Sequence, residues 1–278
     1  GVSYGNVDKA YAEMMRKEDS PIKAVDDYYI LVNYEETWDV LQYNVYSTQY
    51  DHLTDTILSI FDEVDRASRV TAIFSSRVGR SNLLQNLLEN YVYFSYNNDN
   101  PQKFDKTIHD FMAFMDKPNA SNIIINHLSV LAQAAPTMVV DALDAEIDNP
   151  NGMIMSLFSH PQQFDSRYMN ILFALDKLTF HSESAERACR ILFRLYQADQ
   201  DKFRYSNSPY SSLLNALYFI NIYFPLPINE KVKLLLDFLK EDSYHGGKLI
   251  IGILNKKAAS LPFKYGRIGK YPKENFYM

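Results

Sequence analysis

The sequence predicts an all-α fold: antiparallel helix pairs stacked into a right-handed α-α superhelix of the HEAT or TPR kind. Three observations predict it. Apolar residues recur at i, i+3, i+4 and i+7: Leu84, Leu87, Leu88 and Tyr91; Ala188, Ile191, Leu192 and Leu195; Leu213, Ala216, Leu217 and Ile220; Val232, Leu235, Leu236 and Leu239. Each set lays one apolar stripe along one helical face. The connections are short and rich in Pro, Asn and Gly. The pairs recur at roughly 30–45 residues, without an exact repeat, which is the spacing of helical solenoids.

In chain order, residues 7–18 (VDKAYAEMMRKE) read as a polar amphipathic helix stopped by Asp19-Ser20-Pro21. Tyr28 to Val32 (YYILV) has the aromatic composition of a strand, but neighbours at helical spacing favour helix. Residues 49–64 read as a helix ending in Asp62 and Glu63, with Asp65 just beyond, and Arg66 to Gly79 has no clear period. Ser81 can cap a helix over Leu83 to Phe94. Asn97 to Pro101 is a loop. A helix follows from Gln102 to Met115, ended by Lys117-Pro118-Asn119, and Ser121 opens the next. Pro136 then starts another helix at a first-turn position, where its missing N–H has no intrahelical partner. Two helices joined so closely must turn sharply, as in a stacked pair. Four more helices are expected near 166–180, 183–198, 209–223 and 229–241, and His245-Gly246-Gly247 reads as a break before a last helix to Ala259. The organisation expected is a single helical-repeat domain over 1–260, with an internal boundary near 149–152 and an extended tail or linker over 261–278.

The 278 residues are 47% apolar and 22% charged, ordinary for a globular chain and enough for a sizeable core. A net charge of -6 argues against a general nucleic-acid binder. The 21 Tyr and 17 Phe suit an elongated array with much half-buried surface, or a protein-contacting face. No run of about 18 apolar residues predicts a spanning helix. No signal peptide is visible at the N-terminus, and a reducing cytoplasm fits the single cysteine. Gly1 in place of Met reads as a segment of something longer.

No constellation marks chemistry. HExxH, GxxxxGK[ST] and GxSxG are missing from the sequence, and no two of the six histidines (52, 109, 127, 160, 181 and 245) are spaced at i+3 or i+4. Gly1, Gly5, Gly266 and Gly269 lack a strand–turn–helix context. Cys189 reads as a buried inert thiol rather than a nucleophile, and His127 as a core histidine. Arg77-Val78-Gly79-Arg80-Ser81 has the make-up of an anion-holding helix start, but a basic loop capped by Ser81 is the simpler reading. Arg187, Arg190 and Arg194 form a basic stripe, read as a solvated face paired with Glu183 and Glu186. Asn119-Ala120-Ser121 is an incidental sequon without a secretion signal. No catalytic, binding or metal-ligating residue is assigned, and no cofactor.

Four stretches carry a resemblance: Ile57 to Phe94, with SNLLQNLLENYVYFS at its end; HLSVLAQAAPTMVVDALDAEI, 127–147; NILFALDKLTFHSESAERACRILFRLYQAD, 170–199; and NSPYSSLLNALYFINIYFPLPINEKVKLLLDFL, 207–239. Together they resemble the helical-repeat region of very large bacterial proteins that join an effector or a STAND-type nucleotide-binding module to a long α-helical array, antiphage sensors among them. The third stretch is poorer in Trp and Pro than in similar proteins, and Ser208 stands where they usually have Arg. These motifs mark helix packing, so no catalytic or nucleotide-binding residue is carried over.

The expected function is a non-catalytic recognition or regulatory segment that binds a protein partner within a larger sensor or defence protein. Two other classes stand beside it. One is an enzyme with carboxylates or His160 and His181 as acid–base groups in an inter-helix cleft. The other is a nucleic-acid-binding solenoid, which requires Arg77, Arg80, Arg187, Arg190, Arg194 and Arg204 on one face. No membrane partner is expected.

Overall fold

The computed structural model describes residues 17–18, 22–25, 28–31, 47–67, 88, 101–113, 120–149, 152–160, 165–199, 207–221 and 224–256. The chain divides into two units, Gly1–Asp51 and His52–Met278. The segment 149–152 lies inside the second, and the sequence readings of helices over 7–18 and 83–94 and of the 261–278 tail fall outside the described residues, Lys17, Glu18 and Leu88 excepted.

The first unit contains a hairpin where helix was favoured. Strand β1 (Ile22–Val25) pairs antiparallel with β2 (Tyr28–Leu31), Ile22 opposite Leu31 and Val25 opposite Tyr28. Aromatic and β-branched side chains fit a pleated surface. In β2 that preference outweighs the helical spacing of its neighbours, once Ile22–Val25 provides a partner strand.

The other described elements are helices: α1 (Ser47–Ala67), α2 (Pro101–Met112), α3 (Ala120–Ala134), α4 (Pro136–Asp148), α5 (Met153–Ser159), α6 (Ser166–Leu178), α7 (Ala185–Ala198), α8 (Pro209–Leu217), α9 (Ile228–Glu241) and α10 (Ser243–Asn255). Pro136 opens α4 as expected, with only Ala135 between it and the end of α3. Polar side chains fix several starts. Asp165 caps α6 by accepting from Arg167 N, and Ser208 and Ser211 form a reciprocal capping box at α8. The short α5 has no strong period and was not foreseen; Glu146 of α4 accepts from Met153 N at its start, 2.6 Å away.

The helices pack pair upon pair. Helices α3 and α4 touch each other, and so do α6 and α7; α3 lies against α6, and α4 against α7. Helix α8 continues on α6 and α7. The Phe193 ring of α7 stacks on Phe238 of α9 at 4.2 Å, and α10 packs on α8 and α9. Helix α3 is well enclosed: Ile124, Ile125, Leu128, Leu131 and Ala132 are fully buried. The expected stripe Ala188, Ile191, Leu192 and Leu195 is fully buried in α7. Leu213, Ala216 and Leu217 are buried in α8, but that helix stops at Leu217 and Ile220 beyond it is exposed.

Helix α9 is turned relative to its sequence reading. Its buried face is Lys231, Leu234, Leu235 and Phe238, while Val232 and Leu236 are exposed. The next difference is at His245-Gly246-Gly247, which lies inside α10 instead of breaking the chain. Asp242 is the only residue between the two helices. Its carboxylate caps α10 by accepting from Tyr244 N and His245 N, and Nδ1 of His245 lies 2.7 Å from its other oxygen. Glycine is required at 246: a Cβ there would lie 2.7 Å from Leu239 Cα and from Phe238 O. The backbones of α9 and α10 meet at that point, so Gly246 makes the elbow rather than ending a helix.

Candidate functional site

Three groupings of side chains have chemistry to offer. The first is the arginine stripe of α7. Arg187 bridges Asp141 and Asp144 of α4, the latter at 2.8 Å. Arg190 binds Glu186 one turn back at 2.7 Å and reaches Asp237 of α9 at 3.2 Å. Arg194 pairs with Asp148 and donates to the carbonyl of Ile147. Arg187 and Arg194, two turns apart on α7, thus face 141, 144 and 148 on α4, while Arg190 between them turns to Glu186 and α9. This is a ladder of partly exposed ion pairs across three helices. Glu186 was foreseen as a partner; the α4 and α9 carboxylates were missed, because one sequence does not show which helices become neighbours. A phosphate would have to displace a carboxylate from every rung. Arg77, Arg80 and Arg204 lie outside the described residues.

The second grouping is a polar cluster among α6, α7, α8 and α9. Asp176 of α6 hydrogen-bonds Ser212 of α8. Burial pushes its carboxyl up to about 6, against the opposing pull of that bond and of Lys177. Cys189 of α7 feels the charges of both Asp176 and Lys231. Burial pushes its thiol up, so it stays protonated at neutral pH and is no nucleophile. Lys231 is 2% exposed. Its ammonium donates to the carbonyls of Asn221 at 3.1 Å and Tyr218 at 3.4 Å and sits 5.1 Å over the Phe224 ring. It closes the C-terminal end of α8 and lies too deep to meet a substrate. Of this cluster only Asp176, half-buried, could exchange a proton near neutral pH.

One histidine has a carboxylate at hydrogen-bond distance, His245 beside Asp242, but that carboxylate already caps α10. His160 is exposed at the end of α5, and His181 is half-buried in the turn from α6 to α7, where burial pushes its pKa down. His127 is buried in α3 and pushed down to about 4 by burial. Among the described residues no three His, Cys, Asp or Glu side chains gather into a metal-holding group. No described helix is long and apolar enough to cross a membrane.

The third grouping is a surface. Ile228, Val232 and Leu236 of α9 are 61%, 40% and 48% exposed, in a row at i, i+4 and i+8. Tyr244, Ile251 and Leu254 are exposed on α10. The periodicity signalled an apolar row here, but the same pattern serves a buried face and a presented one. The chain matches no protein-family model, no curated protein and no solved structure.

Proposed function

We propose that this chain is a non-catalytic helical-repeat segment that recognises a protein partner, and that it serves within a larger cytoplasmic bacterial sensor or defence protein of the STAND-type or effector-linked kind. In this reading the stacked pairs form a HEAT- or TPR-like right-handed superhelix, and partner binding is passed along the stack to an effector. The pairwise order, α3 on α6 and α4 on α7, supports the repeat reading. The observation that carries recognition is the exposed row Ile228, Val232 and Leu236. An exposed apolar row on a folded helix marks a contact surface.

The test is site-specific photo-crosslinking in source cells, with a photoreactive residue at Leu236 and a control at Glu230. The expected result is an adduct of defined mass at Leu236 only. Its second component, once purified, binds the wild-type chain and loses binding to V232E/L236E. Equal adducts at both sites, or binding unchanged by V232E/L236E, would overturn the proposal.

A further inference from the structure

We infer that the exposed row of α9 takes an acidic amphipathic helix of a protein partner; this rests on the protein-recognition reading above and adds the partner's chemistry. With about 100° per residue, Ile228 and Leu236 lie about 40° to either side of Val232. The row from Ile228 to Leu236 is about 12 Å long, two turns of a helix laid along it. Its solvent-side border carries Lys233 and Lys240, both exposed and about 80–100° from Val232. The acids of α9 are elsewhere. Glu230 and Glu241 lie about 160–180° away, and Asp237, about 140° away, is held by Arg190. Helix α10 has no acidic residue at all, and its exposed Lys248 stands 4.4 Å over the Tyr244 ring. In a chain with 34 acidic and 28 basic side chains, the exposed charges beside this row are therefore Lys233, Lys240 and Lys248, and the two nearest carboxylates are engaged, Asp237 by Arg190 and Asp242 by the start of α10 and His245.

The sign of that border selects the occupant. A second copy would set Lys233 and Lys240 against their own kind. An anionic membrane is a weaker fit, because lipid-binding segments gather about 4–8 Lys and Arg, and the row is one helix wide. A helix with apolar residues at i, i+4 and i+8 and Asp or Glu beside them matches both the row and its border.

Selection of displayed 16-residue peptides on the full chain tests this, followed by titration of the winners against variants with wild-type circular dichroism and melting. Acidic peptides of helical period are expected. L236E should weaken them by about tenfold or more, K233E/K240E by about tenfold with a flatter salt dependence, and E230K should leave them unchanged. Neutral or basic winners that need Leu236 but ignore K233E/K240E would overturn the acidic partner while leaving protein recognition standing. Winners indifferent to L236E would overturn both. Tighter binding to phosphatidylserine vesicles than to any peptide, or a dimer in sedimentation that L236E dissolves, would overturn the inference in favour of a membrane or a second copy.

Discussion

Lys231 shows what a single residue can hide. It shares the buried face of α9 with Leu234, Leu235 and Phe238, and its ammonium is solvated by two carbonyls and a ring instead of water. Removing it opens a cavity and strips those carbonyls, so Lys231→Ala should cost about 2–4 kcal/mol. Lys231→Met keeps the stem and should cost less, about 1–3 kcal/mol. Urea unfolding decides it, with the exposed Lys233→Ala as control: equal losses for Lys231→Ala and Lys233→Ala would deny the buried role. Cys189 gives a second reading of the same core. Its buried, protonated thiol should react with a disulfide reagent only as fast as the chain unfolds, against prompt reaction in denaturant. Prompt labelling of the native chain would place the thiol at the surface. A buried cysteine was legible in the sequence, since its neighbours on the apolar stripe are all core residues. The lysine was not, because a charged side chain inside depends on partners that come from another helix.

At the scale of elements, the helices with a strong period and a clear start were legible. Helix α4 begins at Pro136, and α7 buries the stripe that its spacing announced. What failed was the face of α9 and the start of α10. A stripe of Val and Leu and a buried face that includes Lys231 overlap on the same helix, and only packing chooses between them. Gly246-Gly247 looked like a breaker because glycine disfavours helix, yet the two glycines have opposite reasons to be there. At 246 an added Cβ meets backbone at 2.7 Å; at 247 it meets only Leu239 Cδ1, at 3.9 Å. Gly246→Ala must therefore spread the α9–α10 elbow, at a cost of about 1–3 kcal/mol. Gly247→Ala should stabilise by up to about 1 kcal/mol through helix propensity alone. Thermal melts of the two variants should move in opposite directions. A shift of the same sign in both would mean that the elbow is not closed on Gly246.

For the molecule as a whole, the buried titratable groups set opposing slopes of stability against pH. Burial pushes His127 down to about 4, so between its ordinary value of 6.5 and about 4 the unfolded chain binds a proton that the folded chain refuses. Stability is then lost as pH falls through that window, and His181, also pushed down by burial, adds to the same slope. Asp176 acts the other way. Its folded carboxyl takes a proton at about 6 and its unfolded one only near 3.8, so the folded chain holds the extra proton between those values and gains stability as pH falls. The two windows overlap from about pH 4 to 6, where the wild-type chain should show a shallow profile. His127→Gln should uncover the Asp176 slope and grow more stable, relative to wild type, on acidification from pH 6.5 to 4.5. Asp176→Asn keeps a hydrogen-bonding group for Ser212 and should uncover the histidines. Relative to wild type it should be more stable near pH 7 and lose that advantage towards pH 4. Each difference should reach about 1–3 kcal/mol, the low end for Asp176 because its side chain keeps some water. Urea midpoints taken every half unit would show the two curves crossing that of the wild type with opposite slopes; two parallel curves would mean that neither group is buried as the packing of α3 against α6 requires.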